Sequence, residues 1–337
     1  MGSPPGDASD DDGPFDEDDP LDDADTEVGA ALAAVDDGFA ASVESALVGR
    51  SGVVAVGVPL GLFPAILSAR SRTTGGSWRI ACRPGGADAL GRAFALGTAV
   101  AETTASDAIE LRVHDSDRRV GERGADRILF ATPERVDAVA GPTGARTLVT
   151  ERGDDAVARA IDVATRRFEA STPAAVDMPS RTRLLSRARE LLDDRFADDV
   201  ESVLAALRYG EVGRTGTVTD QTLLVALAAR HDHLFGDLRR WIGSEDEAGV
   251  GIAPGQELTA DRRALVERQL IESIKVPMGP GRPRLRLRAV DEALLRARPE
   301  EVLSVLRGRF ALPLDVDGRL RGGPGSQERR PVWERKR

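Results

Sequence analysis

Residues 271–288, Ile-Glu-Ser-Ile-Lys-Val-Pro-Met-Gly-Pro-Gly-Arg-Pro-Arg-Leu-Arg-Leu-Arg, leave the chain few options other than a hairpin. Ile274, Val276 and Met278 alternate with polar or turn-forming neighbours. Gly279-Pro280-Gly281 supplies a tight reversal, and Leu285 and Leu287 alternate with arginines on the return. This alternation predicts one apolar face that lies on a helical core. The other face carries Lys275, Arg282, Arg284, Arg286 and Arg288 with no acid between them. A ribbon charged in this way suits the phosphate backbone of a nucleic acid. The plainer alternative is an exposed hairpin whose arginines only keep it soluble.

The segment just upstream favours the first reading. Residues 253–271, from Ala253-Pro254-Gly255-Gln256 to Gln269-Leu270-Ile271, read as a helix of about four turns, with Pro254 tolerated near its start. A helix that runs straight into a basic strand-turn-strand is the order of recognition helix and wing in a winged helix-turn-helix. With Leu258 and Leu265 turned to the core, Gln256, Thr259 and Arg263 share the opposite face with Ala260 and Glu267. These three are expected to meet base edges, Arg263 suiting guanine and Gln256 adenine. Arg262 lies nearer the core edge as a second choice. Lys275, Arg282, Arg284 and Arg286 are expected to position the protein on the backbone without reading sequence.

Two further helices precede this unit, Thr219 to Ala229 and Leu234 to Ile242. Before them the apolar stripe Leu184, Ala188, Leu191, Leu192, Phe196, Val200, Val203, Leu204 and Leu207 predicts a long helix with a break near Asp193-Asp194. That stripe is available as a two-fold interface for a homodimer. After the wing, Asp291 to Phe310 reads as a closing helix broken at Pro299.

The first half of the chain alternates element types. Strands are expected at 53–58, 78–82, 108–113, 127–131, 136–140 and 146–150, and helices at 28–47, 60–69, 87–101 and 154–168. This pattern argues an α/β domain over 28–172 with a partly parallel sheet and an antiparallel edge. Ser171-Thr172-Pro173 to Pro179-Ser180 reads as a linker to a second domain over 181–310. The fold class expected is therefore an α/β N-terminal domain plus a C-terminal winged helix-turn-helix.

Composition sets the surroundings. The chain has 337 residues and a formal charge of −10, but twelve of its 56 acids lie in residues 1–27, which contain no Lys or Arg. The remaining 44 acids face 46 basic residues, so the folded part is near neutral. Residues 1–27 are too poor in apolar groups to offset the entropy of ordering and read as a disordered acidic tail. Residues 318–337 read as a disordered basic tail that adds nonspecific attraction to nucleic acid or is simply solvated. Only Lys275 and Lys336 are lysines, and acid-rich, lysine-poor usage points to a cell with high internal salt. The N-terminus lacks a basic leader region, and the longest nearly apolar run, 53–67, is too short and too interrupted to span a bilayer. A cytoplasmic location without membrane association is expected.

Catalytic and metal signals are weak. Cys82 is the single cysteine, so it forms no intramolecular disulfide and offers no metal-site spacing. His231-Asp232-His233 is the only histidine cluster, and side chains two apart on a helix do not face each other. His114-Asp115-Ser116 places triad residue types side by side, which is not how a triad is assembled. No Walker motif or Gly-x-Gly-x-x-Gly follows a strand, so no nucleotide cofactor is expected. Gly57-Val58-Pro59-Leu60-Gly61 is a weak phosphate cradle. Arg83-Pro84-Gly85-Gly86-Ala87-Asp88 is better placed, joining a strand end to a helix start. There Arg83 and the amides of Gly85, Gly86 and Ala87 are expected to hold a small anionic metabolite such as a phosphorylated sugar. On the plainer reading Gly-Gly only makes the turn, and Asp88 competes for the same amides.

Three stretches carry a family resemblance: Leu223 to Arg230, Leu234 to Trp241, and Val276 to Leu287 with its Val-Pro-x-x-x-Gly-Arg-Pro-Arg pattern. Together they resemble the haloarchaeal transcriptional regulator family TbsP, and the resemblance extends from about Val28 to Phe310. It implies an N-terminal domain followed by a winged-helix domain, acting on promoter DNA of central sugar metabolism in a halophilic cytoplasm. This chain departs from the usual winged-helix pattern at Gln269, where glycine commonly precedes the Leu-Ile, and at Pro254, Gly255, Glu257 and Ala260. The rival readings are a metabolic enzyme in the α/β domain and a non-DNA-binding adaptor that uses the winged helix to bind protein.

Overall fold

Val-Ala-Val-Gly-Val is apolar at every position, which suits a strand covered on both faces, and β1 (Val54–Val58) is buried along its whole length. In the computed structural model it is the central strand of a seven-stranded sheet. The structure describes residues 30–114, 127–142, 144–209, 213, 217–243, 249–253, 257–278 and 283–312. The expected tails at 1–27 and 318–337, together with Gln256 and Arg282, lie outside the described residues.

β1 runs parallel to β2 (Trp78–Cys82), which runs parallel to β3 (Ile109–Val113). β4 (Leu129–Thr132), β5 (Arg135–Ala140) and β6 (Thr147–Glu151) extend the sheet antiparallel on the β1 side, and β6 is the outer edge. One face of the sheet is covered by α1 (Asp37–Leu47), α2 (Phe63–Ser71), α3 (Gly86–Arg92) and α4 (Phe94–Ala105), which pack Phe39, Val43, Phe63, Ile66 and Leu96 against Trp78 and Ile80. α5 (Asp154–Glu169) covers the other face, placing Val157, Ala164 and Phe168 on Val54, Val56 and Ala81.

Three boundaries differ from expectation, each for a local reason. The helix expected over 28–47 is interrupted: a helical turn at 30–33 ends, and Asp36 caps α1 by accepting from the Phe39 amide at 3.1 Å. The helix expected over 87–101 is two helices meeting at Ala93. A Cβ on Gly97 would sit 2.1 Å from the Leu90 carbonyl, so glycine is what lets α4 fold back on α3. The linker expected from Ser171 begins as an edge strand, β7 (Thr172–Pro173), paired antiparallel with β3. Proline is acceptable there because an edge strand leaves one side unpaired.

The second half begins with α6 (Arg181–Leu191) and α7 (Asp194–Ala206), separated where Asp193 caps α7 through the Phe196 amide at 2.8 Å. Leu184, Leu185, Ala188, Phe196, Val200, Val203 and Leu204 are all buried in one core with Trp241 and α8 (Asp220–Arg230). The stripe assigned above to a two-fold interface is therefore consumed inside its own chain. The two helices pack on each other and on α8, and so bury it. The indole of Trp241 donates to the Leu184 carbonyl at 3.2 Å, fixing α6 against α9 (Phe235–Ile242).

α8 is buried from Leu223 to Ala229, which explains why its sequence lacks a polar face. Then follow α9, α10 (Leu258–Glu267), β8 (Ile271–Val276) and β9 (Arg284–Ala289), with Leu234 bridged antiparallel to Arg286 as a third strand position. α11 (Glu292–Arg296) and α12 (Val302–Phe310) close the core, with a 3₁₀ turn at Pro299–Glu301 between them. This is winged-helix order.

α10 is shorter than the helix expected over 253–271. It ends at Glu267, Gln269 adopts a left-handed φ of 55°, and Ile271 already belongs to β8. The Leu270 amide donates to the Leu265 carbonyl at 3.0 Å and the Gln269 amide to the Val266 carbonyl at 2.9 Å. That pair of bonds is a Schellman closure, and buried Leu270 and Leu265 supply its apolar contact.

Candidate nucleic-acid interface

The orientation of α10 is fixed by two of its own polar residues. Asp261 accepts from the hydroxyls of Thr219, at 3.0 Å, and Thr222, which form the capping box of α8. Arg262 lies half-buried with its guanidinium 5.3 Å from the centre of the Phe235 ring and donates to the Ser273 hydroxyl at 3.0 Å. It therefore joins α10 to α9 and β8. Burial, and then the neighbouring guanidinium of Arg263, hold it below the usual arginine range.

The outward side of α10 presents Ala260, Arg263, Val266 and Glu267, with Thr259 half-exposed beside them. Leu258 and Leu265 are fully buried, as the helical wheel requires. Arg263 has no ion-pair partner among the described residues. Glu257, at the helix start, accepts from the Gln221 side chain at 3.1 Å.

The hairpin pairs in a register that changes its expected faces. Ile274 stands opposite Arg286 and Val276 opposite Arg284, while Lys275 stands opposite Leu285 and Ser273 opposite Leu287. The apolar residues of the two arms thus do not share one face, because even-numbered positions of both strands fall on the same side. Leu287 and Ala289 are buried toward the core, and Ile274 and Val276 lie beside the stems of Arg286 and Arg284. Charge consequently appears on both faces: Lys275 on one, Arg284 and Arg286 on the other.

Lys275 and Arg284 are exposed, Arg286 is half-buried, and none of the three forms an ion pair among the described residues. Arg288 differs. It is bonded to Asp232 at 2.9 Å and lies 3.8 Å from Glu272, so it anchors the root of the wing, and the expectation of a face without acids fails at this end. No periodicity announces the pairing with Asp232, which reaches Arg288 because it turns the chain past α8 with a φ of 58°.

The same turn carries the histidines. They lie beyond the end of α8 instead of on a helix, with rings 6.0 Å apart, both edge-on to Phe196. His231 is 2.9 Å from Asp199 and His233 is 3.5 Å from Asp193. Burial lowers the His233 pKa, and Asp193 only partly opposes this. Among the described residues no group of three or more His, Cys, Asp or Glu is arranged to hold a metal ion. His114 approaches Ser171 at 3.5 Å, while Asp115 and Ser116 lie outside the described residues.

In the N-terminal half, the Arg83 loop follows β2. Gly85 is left-handed at φ 74°, and the Gly86 amide donates to the Arg83 carbonyl at 3.0 Å. A Cβ on Gly86 would meet the Cys82 sulfur at 3.0 Å, and the Ala87 amide bonds that thiol. Burial pushes the Cys82 thiol up to about 11. Two of the three amides expected to hold an anion are thus spent on the turn itself. Asp88 does not cap α3, since Gly85 holds the cap position. Arg83 donates through Nε to the Gly57 carbonyl at 3.3 Å, and Arg92 and Arg146 line the same cavity. Neither was singled out in the sequence, because only the fold brings the hairpin before β6 over the end of β2.

Among the described residues no helix is long and apolar enough to cross a membrane. Comparison with curated proteins and with solved structures returns no match. Two family models do match. Residues 32–179 match the N-terminal region of the TbsP-like transcriptional regulators, and residues 180–307 match their C-terminal helix-turn-helix domain. A helix locked at the surface, a basic wing and a family match across both halves agree: the chain belongs to the TbsP-like transcriptional regulators.

Proposed function

We propose that the C-terminal half binds double-stranded promoter DNA with sequence specificity, so that the protein acts as a cytoplasmic regulator and not as an enzyme. The observation that carries this reading is Arg263, without an ion-pair partner among the described residues, on the open side of a helix that Asp261 and Arg262 hold in place. A guanidinium so presented suits the two acceptors of guanine in the major groove, worth about 1 to 3 kcal/mol of base discrimination. Thr259 lies beside it, and Gln256 extends the same reading toward the helix start. Lys275, Arg282, Arg284 and Arg286 hold phosphates, and Arg262 serves by orienting the helix.

The finer parts of the proposal follow from the family resemblance and from composition. The regulated genes belong to central sugar metabolism, the host is a haloarchaeon, and the protein works as a homodimer through a surface other than the α6–α7 stripe. The N-terminal domain is the part that senses an effector or pairs the subunits. Arg263→Ala in a binding-site selection tests the central statement. The expected result is a degenerate base at one position per half-site with weaker binding, and an unchanged motif at unchanged affinity would refute it.

A further inference from the structure

A cavity of about 510 Å³ opens beyond the carboxyl ends of β1 and β2, within the size range of small-molecule sites. Three guanidiniums line it from three separate places in the chain: Arg83 after β2, Arg92 in the last turn of α3, and Arg146 just before β6. Among the described residues Asp88 is the only acid on its wall. The remaining surface is largely apolar, with Val35 and Leu60 both nearly buried. Three positive charges and one negative, over an aliphatic floor, match a compact carbon body bearing at least two negative groups. Recognition falls to side chains, because α3 is only seven residues long and the amides of Gly86 and Ala87 are engaged.

We propose that this cavity binds a small organic anion of two or more charges, either phosphates or carboxylates, held by Arg83, Arg92 and Arg146. As an effector site, the cavity rests on the regulator reading; as a binding site it stands alone. Val35 lines this cavity and also a second one of about 520 Å³, where Gly61 and Pro64 face Leu204 and Tyr209 of the C-terminal half. A Cβ on Gly61 would lie 2.6 Å from Val35, so the segment around Val35 is seated tightly between the two cavities. Displacement of that segment by a ligand is felt where the halves meet.

Calorimetry of the full chain, at one fixed chloride concentration, tests the site with fructose 1,6-bisphosphate, citrate, pyrophosphate and neutral fructose as probes. Binding of the bisphosphate or of citrate, with none by fructose, is expected, and which of the two binds separates phosphate from carboxylate recognition. Arg92→Gln with Arg146→Gln should weaken that binding roughly tenfold or more per arginine, with the circular dichroism of the free protein retained. Lysine at the same two positions should restore part of the affinity. Absence of heat with every probe, equal binding of all anions, or full binding by the glutamine variant would overturn the proposal. Since no DNA is present, failure here leaves the Arg263 reading untouched, and failure of that selection leaves this one untouched.

Discussion

Gln269 is a residue in a glycine's position. Its φ of 55° closes the Schellman motif after α10, and its side chain is exposed, so nothing is lost with it. A left-handed conformation costs a side-chain-bearing residue about 1 kcal/mol or more, part of which glycine returns through its larger unfolded-state entropy. Gln269→Gly should therefore raise stability by about 1 kcal/mol, read as a higher urea midpoint at unchanged slope. His233 makes a second residue-scale prediction. Its folded pKa is lowered, so the unfolded chain takes up the proton first as pH falls. Stability should be full above the ordinary imidazole value of about 6.5, decline below it, and level off beneath the folded value. The acids facing the ring, Asp193, Asp237 and Asp232, and the neighbouring His231 set the size of the effect. Denaturation midpoints from pH 8 to 5 should show this decline in the parent and a flatter profile in His233→Gln.

At the scale of elements, the proposed function divides the labour between the wing and α10. Lys275 and Arg284 emerge on opposite faces of the hairpin, and on the proposed reading both grip backbone and neither reads bases. Lys275→Ala with Arg284→Ala should weaken every site alike and lower the slope of log affinity against log salt by about 2. A changed consensus with an unchanged slope would contradict the assignment. The elements themselves were largely legible. Alternation marked the parallel strands, and the stripe 184–207 marked two helices with the right break at Asp193-Asp194. What sequence reasoning missed was relational. The hairpin's apolar residues were visible, but their pairing of Ile274 with Arg286 depends on register. Arg262 was read as a marginal base contact because no periodicity announces a partner such as Phe235 on another helix. Arg146 joins Arg83 only through the order of strands in the sheet.

For the whole molecule, the joint between its halves matters most. Only residues 174–179 separate β7 from Ser180, the cap of α6, and Met178 and Pro179 among them are buried. Glu102 of α4 receives both the amide and the hydroxyl of Thr182, at 2.8 and 2.7 Å, and Arg181 reaches the Ala95 carbonyl at 3.1 Å. The C-terminal half, which on the proposed reading carries the recognition helix, is thus bolted through α6 to α4 of the N-terminal half and not hung from a tether. If two such chains pair, each recognition helix is carried at a set distance and angle, and major grooves on one side of a duplex recur about every 34 Å. The operator inherits that rigidity as a ruler. Inserting about 5 base pairs, half a helical turn, between the half-sites should abolish joint occupancy in a footprint, whereas about 10 should restore part of it only if the joint bends.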